Sequence, residues 1–285
     1  MRMAAIREAG QGMQRKPSYD ELFQRNYGIF SEEEQDHIRR AHVMATGCGG
    51  VGGTAVIELC RCGVENFTLV EPDVYSTTNI NRQISCYMDT LGKNKAEALK
   101  EDMMRINDEC DIRVINEAVP VEDLERHLRG EDVLVASADD FAYSIVAART
   151  AKKLGIPSVI GLPVGSFVRV WTNVRDSPPI EDYFALPKDE PDYRTLYDAL
   201  YCEFGRKKYA RWAQRHCDWG ANWADGYAEG KISLSQIAPM TWLASSLVAL
   251  EVIKLITHRW EPVVFPRYWK ITPNSADIDE LHEHR

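Results

Sequence analysis

The chain has 285 residues, of which 45% are hydrophobic and 27% are charged, and its formal net charge is −9. These values are typical of a soluble globular protein with one large or two small domains and a substantial core. The acidic excess argues against binding nucleic acid over a broad surface, because such binding depends on neutralising phosphates.

The first residues carry scattered charged and polar side chains without an apolar run. We therefore expect residues 1–18 to form a flexible extension, with the globular unit starting near Tyr19 and with neither a signal peptide nor a transit segment. The seven cysteines do not follow disulfide-scaffold spacings. Reduced thiols and a cytoplasmic location are expected.

From residue 31 onward the chain reads as helices and strands in alternation. Ser31 and Glu34 predict a capping box that opens a short helix ending near Arg40. The predicted strands are 41–46, 66–71, 112–116, 132–137 and 157–161, and the predicted helices are 55–62, 93–107, 121–128 and 141–154. This order predicts an α/β, Rossmann-like fold with a mainly parallel sheet and helices on both faces.

The pattern changes after residue 166. A strand-like segment, FVRVWTNV, precedes a loop that we expect to cap the active site from residue 178 onward. Residues 193–230 have weak periodicity and mix aromatic with basic side chains; a helix with solvated charges and packed tryptophans is favoured over a nucleic-acid surface. The apolar stretch 237–256 contains Pro239, Glu251 and Lys254, which favours a buried core or dimer-seam helix over a membrane span.

A glycine-rich loop follows the first strand. Gly47, Gly49, Gly50 and Gly52 stand in the sequence GCGGVG. The helix predicted to begin near Gly53 directs its N-terminal amides at this loop, which suits a phosphate group. Glycine is needed there because a side chain would block approach of the backbone to phosphate and packing of helix on strand.

An acid, Glu71, closes the next predicted strand. Rossmann-type sites keep an acid at this point to bind ribose hydroxyls. The loop and the acid together predict a nucleotide site, but they do not distinguish NAD, FAD and ATP.

A second set of polar residues selects the chemistry. It comprises Asp73, Thr78, Asn79, Asn81, Arg82, Gln83, Lys95, Asp139 and Asp140. Arg82 and Lys95 can neutralise the charge that builds on phosphates when a carboxylate attacks the α-phosphorus. Asp139 alone suffices to hold Mg²⁺ beside a triphosphate. Hydride transfer does not require this set of polar residues, so adenylation is favoured over an NAD-dependent reductase.

The motifs, in this order, resemble the ThiF/MoeB/HesA family over residues 20–165. They are Gly-x-Gly-Gly-x-Gly, an acid at a strand end, Asn-x-x-Arg-Gln, Gly-x-x-Lys and Asp after a later strand. The resemblance implies an adenylation domain shared with ubiquitin-activating enzymes, with ATP and Mg²⁺ as cofactors. It places Gly50 against the nucleotide, Glu71 on the ribose and Thr78 to Arg82 along the phosphates, with Lys95, not Lys93, as the family lysine.

The resemblance also assigns less regular positions. Asp139 matches the magnesium-linked aspartate, whereas Asp140 stands where asparagine is common and either faces the metal or changes a hydrogen bond. The family reaches across its dimer with an N-terminal arginine, for which Arg25 is the nearest match. The helix 240–256 resembles one near the family's dimer seam, so a homodimer is expected.

Some relatives carry two Cys-x-x-Cys pairs that bind zinc, and this chain has none, so no zinc is expected. Cys202 or Cys217 could act as a nucleophile if Lys207, Lys208 or His216 activated it. Direct attack of an external nucleophile on the adenylate is the favoured alternative.

The resemblance divides the chain into an ATP-binding adenylation domain, residues 19–166, and a C-terminal crossover or cap region, residues 167–285. The second region, with possible antiparallel strands on the same sheet, is expected to select the substrate and form the dimer. We expect the carboxylate to belong to a ubiquitin-like sulfur carrier or peptide, or to a small molecule of a biosynthetic pathway.

Two other functions stay open. Thr-Asn-x-Asn-Arg-Gln-Ile also resembles the tRNA threonylcarbamoyladenosine dehydratases, although the acidic charge and the C-terminal third argue against that activity. A nucleotide-binding pseudoenzyme would keep the fold without turnover. The presence of Arg82, Lys95 and Asp139 argues against it.

Overall fold

The computed structural model of the chain describes residues 15–283. Most of the predicted extension therefore lies outside the described residues, and the first helix begins at Tyr19. The strands within this part of the chain are β1 (His42–Thr46), β2 (Asn66–Val70), β3 (Asp111–Ile115), β4 (Val133–Ala136), β5 (Ser158–Val164), β6 (Phe167–Asn173), β7 (Arg267–Thr272) and β8 (Ser275–Glu280).

These strands form one sheet in the order β3-β2-β1-β4-β5-β6-β7-β8. Strands β1 to β5 pair in parallel, and β5 to β8 pair antiparallel. The predicted fold class, a mainly parallel sheet with antiparallel strands towards the C-terminus, is confirmed. The antiparallel strands extend the same sheet, and β6 and β7 contribute buried residues to both of its cores.

Helices cover both faces of the sheet. They are α1 (Tyr19–Leu22), α2 (Glu32–Arg40), α3 (Gly50–Cys62), α4 (Lys95–Met104), α5 (Leu124–Leu128), α6 (Phe141–Lys153), α7 (Tyr193–Tyr201), α8 (Glu203–His216), α9 (Ala221–Ala228) and α10 (Ala238–Thr257). Helices α2, α3, α4 and α10 pack into the core on one face. Helices α5 to α9 pack into the core on the other.

Helix α3 begins at Gly50, three residues before the predicted start at Gly53. A Cβ atom on Gly52 would lie 2.0 Å from the carbonyl oxygen of Gly47, and one on Gly53 would lie 2.7 Å from that of Cys48. The first turn of the helix therefore folds tightly against the preceding loop, which only glycine permits. The glycine motif is part of the helix as well as of the loop.

The weakly periodic stretch 193–230 forms the three helices α7, α8 and α9. The faces of these helices that pack into the core are narrow and consist largely of alanines. The sequence therefore shows only a weak helical periodicity of hydrophobic residues. Trp219 is buried, and Trp212 packs edge-on against Phe167 with ring centroids 5.7 Å apart. These two tryptophans are packed as expected, whereas Trp223 is 45% exposed, and the stretch forms three helices instead of the one expected.

Helix α10 is the one helix among the described residues that could span a membrane by length and composition. Of the 18 most apolar consecutive residues of α10, 61% are buried. The helix packs against α3 and the sheet, as the core helix of a soluble protein does. Pro239 lies in its first turn, where proline needs no backbone N–H.

A buried carboxylate, Glu251, ties α10 to the antiparallel strands. Its Oε2 accepts hydrogen bonds from Thr172 Oγ1 (3.0 Å) and the backbone N–H of Val263 (2.8 Å). Its Oε1 accepts from Trp269 Nε1 (2.8 Å) and from Lys254 Nζ. One side chain thus connects α10, β6, β7 and the chain between α10 and β7.

Replacing Glu251 with alanine is expected to lower the free energy of unfolding by about 3–5 kcal/mol, because it leaves Lys254 buried without its acid. Glu251→Gln preserves the size of the side chain and an acceptor oxygen, so it should lower the free energy of unfolding by less than Glu251→Ala does. Urea unfolding followed by circular dichroism measures both. A loss below about 1 kcal/mol for the alanine variant would show that the network does not hold α10 in place.

Candidate functional site

The candidate site lies at the carboxyl edge of the parallel strands. The glycine loop follows β1, Glu71 follows β2, and Asp139 follows β4. Strand β1 lies between β2 and β4. The chain therefore adds β2 and β3 on one side of β1, and later adds β4 and β5 on the other side. Open α/β sheets bind ligands at such a switch point.

The glycine loop is held against the ends of the neighbouring strands. Gly47 has a positive φ of 91° and donates its N–H to the carbonyl of Val70 (2.9 Å). A Cβ atom there would lie 2.5 Å from the carbonyl oxygen of Ser137. Gly47 thus lets the loop pass between β2 and the end of β4.

Gly50 lets α10 approach the start of α3, whereas a side chain at Gly49 would make only ordinary van der Waals contact. A Cβ atom on Gly50 would lie 2.7 Å from Thr241 Cγ2 in α10, and one on Gly49 would lie 3.5 Å from Gln83 Nε2. Part of the need for glycine here therefore comes from packing within the chain. The sequence pattern alone showed only a potential phosphate site.

Glu71 is buried and braces the loop. Its Oε2 accepts the N–H of Cys48 (2.8 Å), and its Oε1 accepts the N–H of Asp73 (3.0 Å). Burial raises the pKa of this carboxyl, and Lys95, whose Nζ lies 3.8 Å from Oε1, opposes the shift together with the two N–H groups. Each carboxylate oxygen accepts up to two hydrogen bonds, so capacity remains for a ribose hydroxyl.

Lys95 opens α4 beneath the same edge. Its side chain is buried, and Nζ lies 3.0 Å from Asp73 Oδ2, whose side chain is largely exposed. Asn94 caps α4 and donates to the carbonyl of Glu71 (2.8 Å). The ammonium is thus fixed close to the loop, with one exposed carboxylate that an incoming phosphate could replace.

Arg82 is held by three acceptors. Its Nη1 donates to the carbonyl of Thr78 (2.9 Å) and to Asn81 Oδ1 (2.9 Å), and its Nε donates to Gln236 Oε1 (2.7 Å). Asn79 shapes the preceding turn, since its Oδ1 accepts the N–H of Ser76 (2.9 Å). Two of the predicted phosphate-lining residues, Asn79 and Asn81, therefore support the turn that presents Arg82.

Gln236 is a site residue that sequence reasoning missed. It lies just before α10 and donates from Nε2 to the carbonyl of Pro163 at the end of β5 (2.9 Å). Gln236 itself is 154 positions from Arg82 in the chain, so its hydrogen bond to the guanidinium is a long-range contact. A lone glutamine in a loop carries no signal for such a contact.

The two aspartates after β4 have different surroundings. Asp140 caps α6 by accepting the N–H groups of Ala142 (2.9 Å) and Tyr143 (3.3 Å), and it accepts a hydrogen bond from the Tyr193 hydroxyl (2.7 Å). Of the two possibilities for Asp140, the geometry supports the hydrogen-bonding one; aspartate and asparagine cap helices equally well. The Asp139 carboxylate is exposed, and within residues 15–283 it has no hydrogen-bond or ion-pair partner.

Buried oxygens without partners lie near the glycine loop. They are Thr46 Oγ1, Gln83 Oε1, Ser137 Oγ and Thr241 Oγ1. Buried polar atoms normally have a partner, so these call for ordered water or a ligand. Over residues 15–283, no three His, Cys, Asp or Glu side chains cluster in a way that could hold a metal by themselves. A single carboxylate, Asp139, is still a suitable ligand for Mg²⁺ that keeps water and phosphate oxygens in its shell.

Arg25 does not reach this site within its own chain. It is exposed, and its neighbour Asn26 donates to the carbonyl of Cys62 at the far end of α3 (2.9 Å). A helix of this length places that end about 20 Å from the glycine loop.

The two candidate nucleophiles also differ. Cys217 is buried, and burial raises the pKa of its thiol to about 12, which opposes thiolate formation. Cys202 is exposed and caps α8, where its Sγ accepts the N–H of Gly205 (3.3 Å). Of the two, only Cys202 is accessible to a substrate.

The chain is similar to a known protein family and to several curated proteins. The profile of the ThiF family matches residues 23–285. A tRNA threonylcarbamoyladenosine dehydratase of Haemophilus influenzae is 30% identical over 152 residues, covering 52% of this chain and 58% of that protein. The molybdopterin-synthase adenylyltransferase of Salmonella typhimurium is 24% identical over 239 residues, covering 82% of this chain and 80% of that protein. The chain spans about half the length of the dehydratases.

Solved structures agree on the fold. Escherichia coli MccB with MccA-N7isoASN has a TM-score of 0.67 at 22% identity, covering 88% of this chain and 67% of that one. MccB in complex with N-formylated MccA has a TM-score of 0.70 at 21% identity, covering 94% and 75%. The predicted family is confirmed by the profile match, and two of the relatives are named a molybdopterin-synthase adenylyltransferase and a SAMP-activating enzyme E1. Since the family profile covers nearly the whole sequence, the chain belongs to the ThiF family.

Proposed function

We propose that the protein catalyses ATP- and Mg²⁺-dependent adenylation of a carboxylate. A carboxylate oxygen bonds to the α-phosphorus of ATP, the bond from that phosphorus to the bridging oxygen breaks, and pyrophosphate leaves with the electron pair. An external nucleophile then attacks the acyl carbon and releases AMP. The observation that carries the proposal is the presence of Glu71, Lys95, Arg82 and Asp139 around one glycine loop at a strand switch point.

Each residue has a role that its position supports. Glu71 binds the ribose while it braces the loop, and the amides at the start of α3 receive phosphate. Lys95 and Arg82 stabilise charge on the phosphates as pyrophosphate leaves. Asp139 holds Mg²⁺, which supplies further charge neutralisation when bound. Arg25 of a second copy completes the site.

The substrate that we propose is a carboxylate at the end of a peptide or ubiquitin-like carrier, or of a small acid. Solved structures with this fold include MccB bound to MccA, and a relative in Haloferax volcanii is named a SAMP-activating enzyme. Residues 178–184 precede α7, whose Tyr193 and Tyr201 contact Asp140 and Asp139. The C-terminal region thus borders the site at which a carboxylate would bind.

A dehydratase acting on tRNA is the second candidate, favoured by relatives of that name at 30% identity. The formal net charge of −9 argues against it. Salt-dependent binding of tRNA near the site would support it over a peptide or small acid. Absence of ATP binding would contradict both activities.

We further propose a cytoplasmic homodimer. Helix α10 exposes the apolar side chains of Trp242, Leu243 and Leu250, and Trp242 Nε1 donates to the carbonyl of Arg82 (2.9 Å). A dimer through this face would bring the second copy close to the site. Light scattering should give about twice the chain mass of 32.4 kDa. A monomer at micromolar concentration, with exchange activity intact, would contradict the proposed role of Arg25.

Pyrophosphate exchange into ATP tests the proposed function. Carboxylic acids, peptides with free C-termini and carrier-protein tails are screened with labelled pyrophosphate, because exchange requires reversible adenylate formation. At least one class should stimulate exchange strongly. ATP binding without exchange for any carboxylate would instead support a pseudoenzyme, and binding of NAD in place of ATP would support a reductase.

A further inference from the structure

One face of α8 forms a basic stripe. We define this stripe as Phe204, Lys208, Arg211 and Arg215, which follow one another at the spacing of a single helix face. All four are exposed, and Phe204 is 77% exposed. The opposite face of α8 buries alanines in the core, so the orientation of the stripe towards solvent is fixed.

The cations of the stripe lack acidic partners. In the part of the chain that the structure describes, no carboxylate lies within ion-pair distance of Lys208, Arg211 or Arg215. Lys207, just outside the stripe, does pair with Glu203. Burial, followed by Arg215, lowers the pKa of His216, in keeping with a positive potential at this end of α8. The net charge of the whole chain has the opposite sign.

Both ends of α8 are tied to the edge of the sheet that carries the candidate site. The hydroxyl of Tyr201, the last residue of α7 and two positions before α8, accepts the N–H of Phe141 (2.8 Å) and donates to the carbonyl of Asp139 (3.4 Å). At the other end, the carbonyl of Cys217 accepts the N–H of Ser166 in the turn between β5 and β6 (3.3 Å). Helix α8, which carries the stripe, therefore lies along the edge of the sheet that holds the candidate site.

We propose that the stripe is a docking surface for an acidic segment of a polypeptide substrate, upstream of the carboxyl terminus that is adenylated. The proposal rests on the proposed function. Complementary charge near a site selects partners and speeds their encounter. An exposed phenylalanine adds an apolar contact of the kind found in protein interfaces.

A polypeptide fits these observations better than RNA. The three cations span only about 11 Å of one helix, on a protein whose formal net charge is −9. RNA binding draws on many phosphate contacts spread over a longer surface. A short acidic segment needs no more than these few cations and one apolar contact.

Fluorescence anisotropy with two labelled peptides tests the proposal. The peptides share a free C-terminal Gly-Gly tail; one carries a run of Asp and Glu, and the other carries Lys at the same positions. Bulk tRNA serves as a third probe. The full chain is compared with the triple variant Lys208→Glu/Arg211→Glu/Arg215→Glu and with its neutral counterpart Lys208→Gln/Arg211→Gln/Arg215→Gln.

A matched control reverses three exposed cations elsewhere, Arg61→Glu/Arg113→Glu/Arg267→Glu. It changes the net charge by the same amount as reversal of the stripe. The full chain should prefer the acidic peptide, with affinity that falls as salt is added. Reversal of the stripe should weaken binding at least about tenfold, the neutral triple should lie between, and the control should bind as the full chain does.

Several results would overturn the proposal. These are equal or absent binding of the two peptides, equal losses in the stripe and control variants, and preferential capture of tRNA through the stripe. Thermal melts show whether each variant is folded. Peptide binding is measured without ATP, so a separate titration with ATP shows whether the proposed function, rather than the stripe, has failed.

Discussion

Replacing Arg82 with alanine is expected to lower carboxylate-dependent pyrophosphate exchange by at least roughly 10²–10³-fold, the effect of losing a fixed charge aimed at the transition state. The guanidinium is already oriented by Thr78, Asn81 and Gln236. It therefore needs little reorganisation when charge moves onto the leaving pyrophosphate. Exchange assays at saturating ATP measure the effect, and circular dichroism confirms that the fold persists.

Two further variants separate charge from orientation. Arg82→Lys keeps the charge but loses the planar fork that bonds several acceptors at once, so it should recover only part of the activity. Gln236→Ala keeps the guanidinium and removes one of its supports, so a loss of about tenfold or less is expected. If Arg82→Ala exchanged pyrophosphate at the rate of the unaltered chain, Arg82 would have no part in the chemistry.

Replacing Asp139 with alanine should lower exchange by at least about a hundredfold and raise the Mg²⁺ concentration needed for half-maximal rate, because the metal contributes several kcal/mol to the transition state. The carboxylate is exposed and has no partner among the described residues, so its removal should leave stability nearly unchanged. Exchange measured over a Mg²⁺ series, beside a thermal melt, tests both expectations.

The neighbouring Asp140 provides a matched control. Asp140→Asn keeps the helix cap and the contact with Tyr193, so activity should change little. Asp140→Ala removes the cap of α6 and should cost about 1 kcal/mol of stability. Equal loss of activity in Asp139→Ala and Asp140→Asn would mean that the metal assignment belongs to both residues or to neither.

The parallel half of the fold could be predicted because its signals are local. Apolar runs such as 41–46 and 132–137 alternate with helices, and each junction carries its own turn or capping residues. The strands β7 and β8 had no such signal beyond a general expectation of antiparallel strands. The pairing of β7 with β6 joins Ile271 to Val168, a contact between segments about a hundred residues apart that no local pattern reveals.

The candidate site, like the fold, could be predicted from the sequence only in part. Motif residues such as Arg82 and Asp139 are separated by fixed distances from glycines and strand ends, so a sequence can reveal them. Their supports cannot be found in this way, because Gln236 and Tyr193 reach the site only through tertiary packing. The start of α3 at Gly50 was missed for a related reason: close packing, not helix propensity, makes its glycines helical.

Oxygen-18 transfer tests the central claim, attack of a carboxylate on the α-phosphorus of ATP, most directly. A carboxylate that stimulates exchange is labelled with ¹⁸O on both oxygens and incubated with the protein, ATP, Mg²⁺ and hydroxylamine as the trapping nucleophile. The account predicts AMP that carries one ¹⁸O atom, together with unlabelled pyrophosphate. Unlabelled AMP, or ADP with ¹⁸O in inorganic phosphate, would contradict it, because the second outcome requires an acyl phosphate formed at the γ-phosphorus.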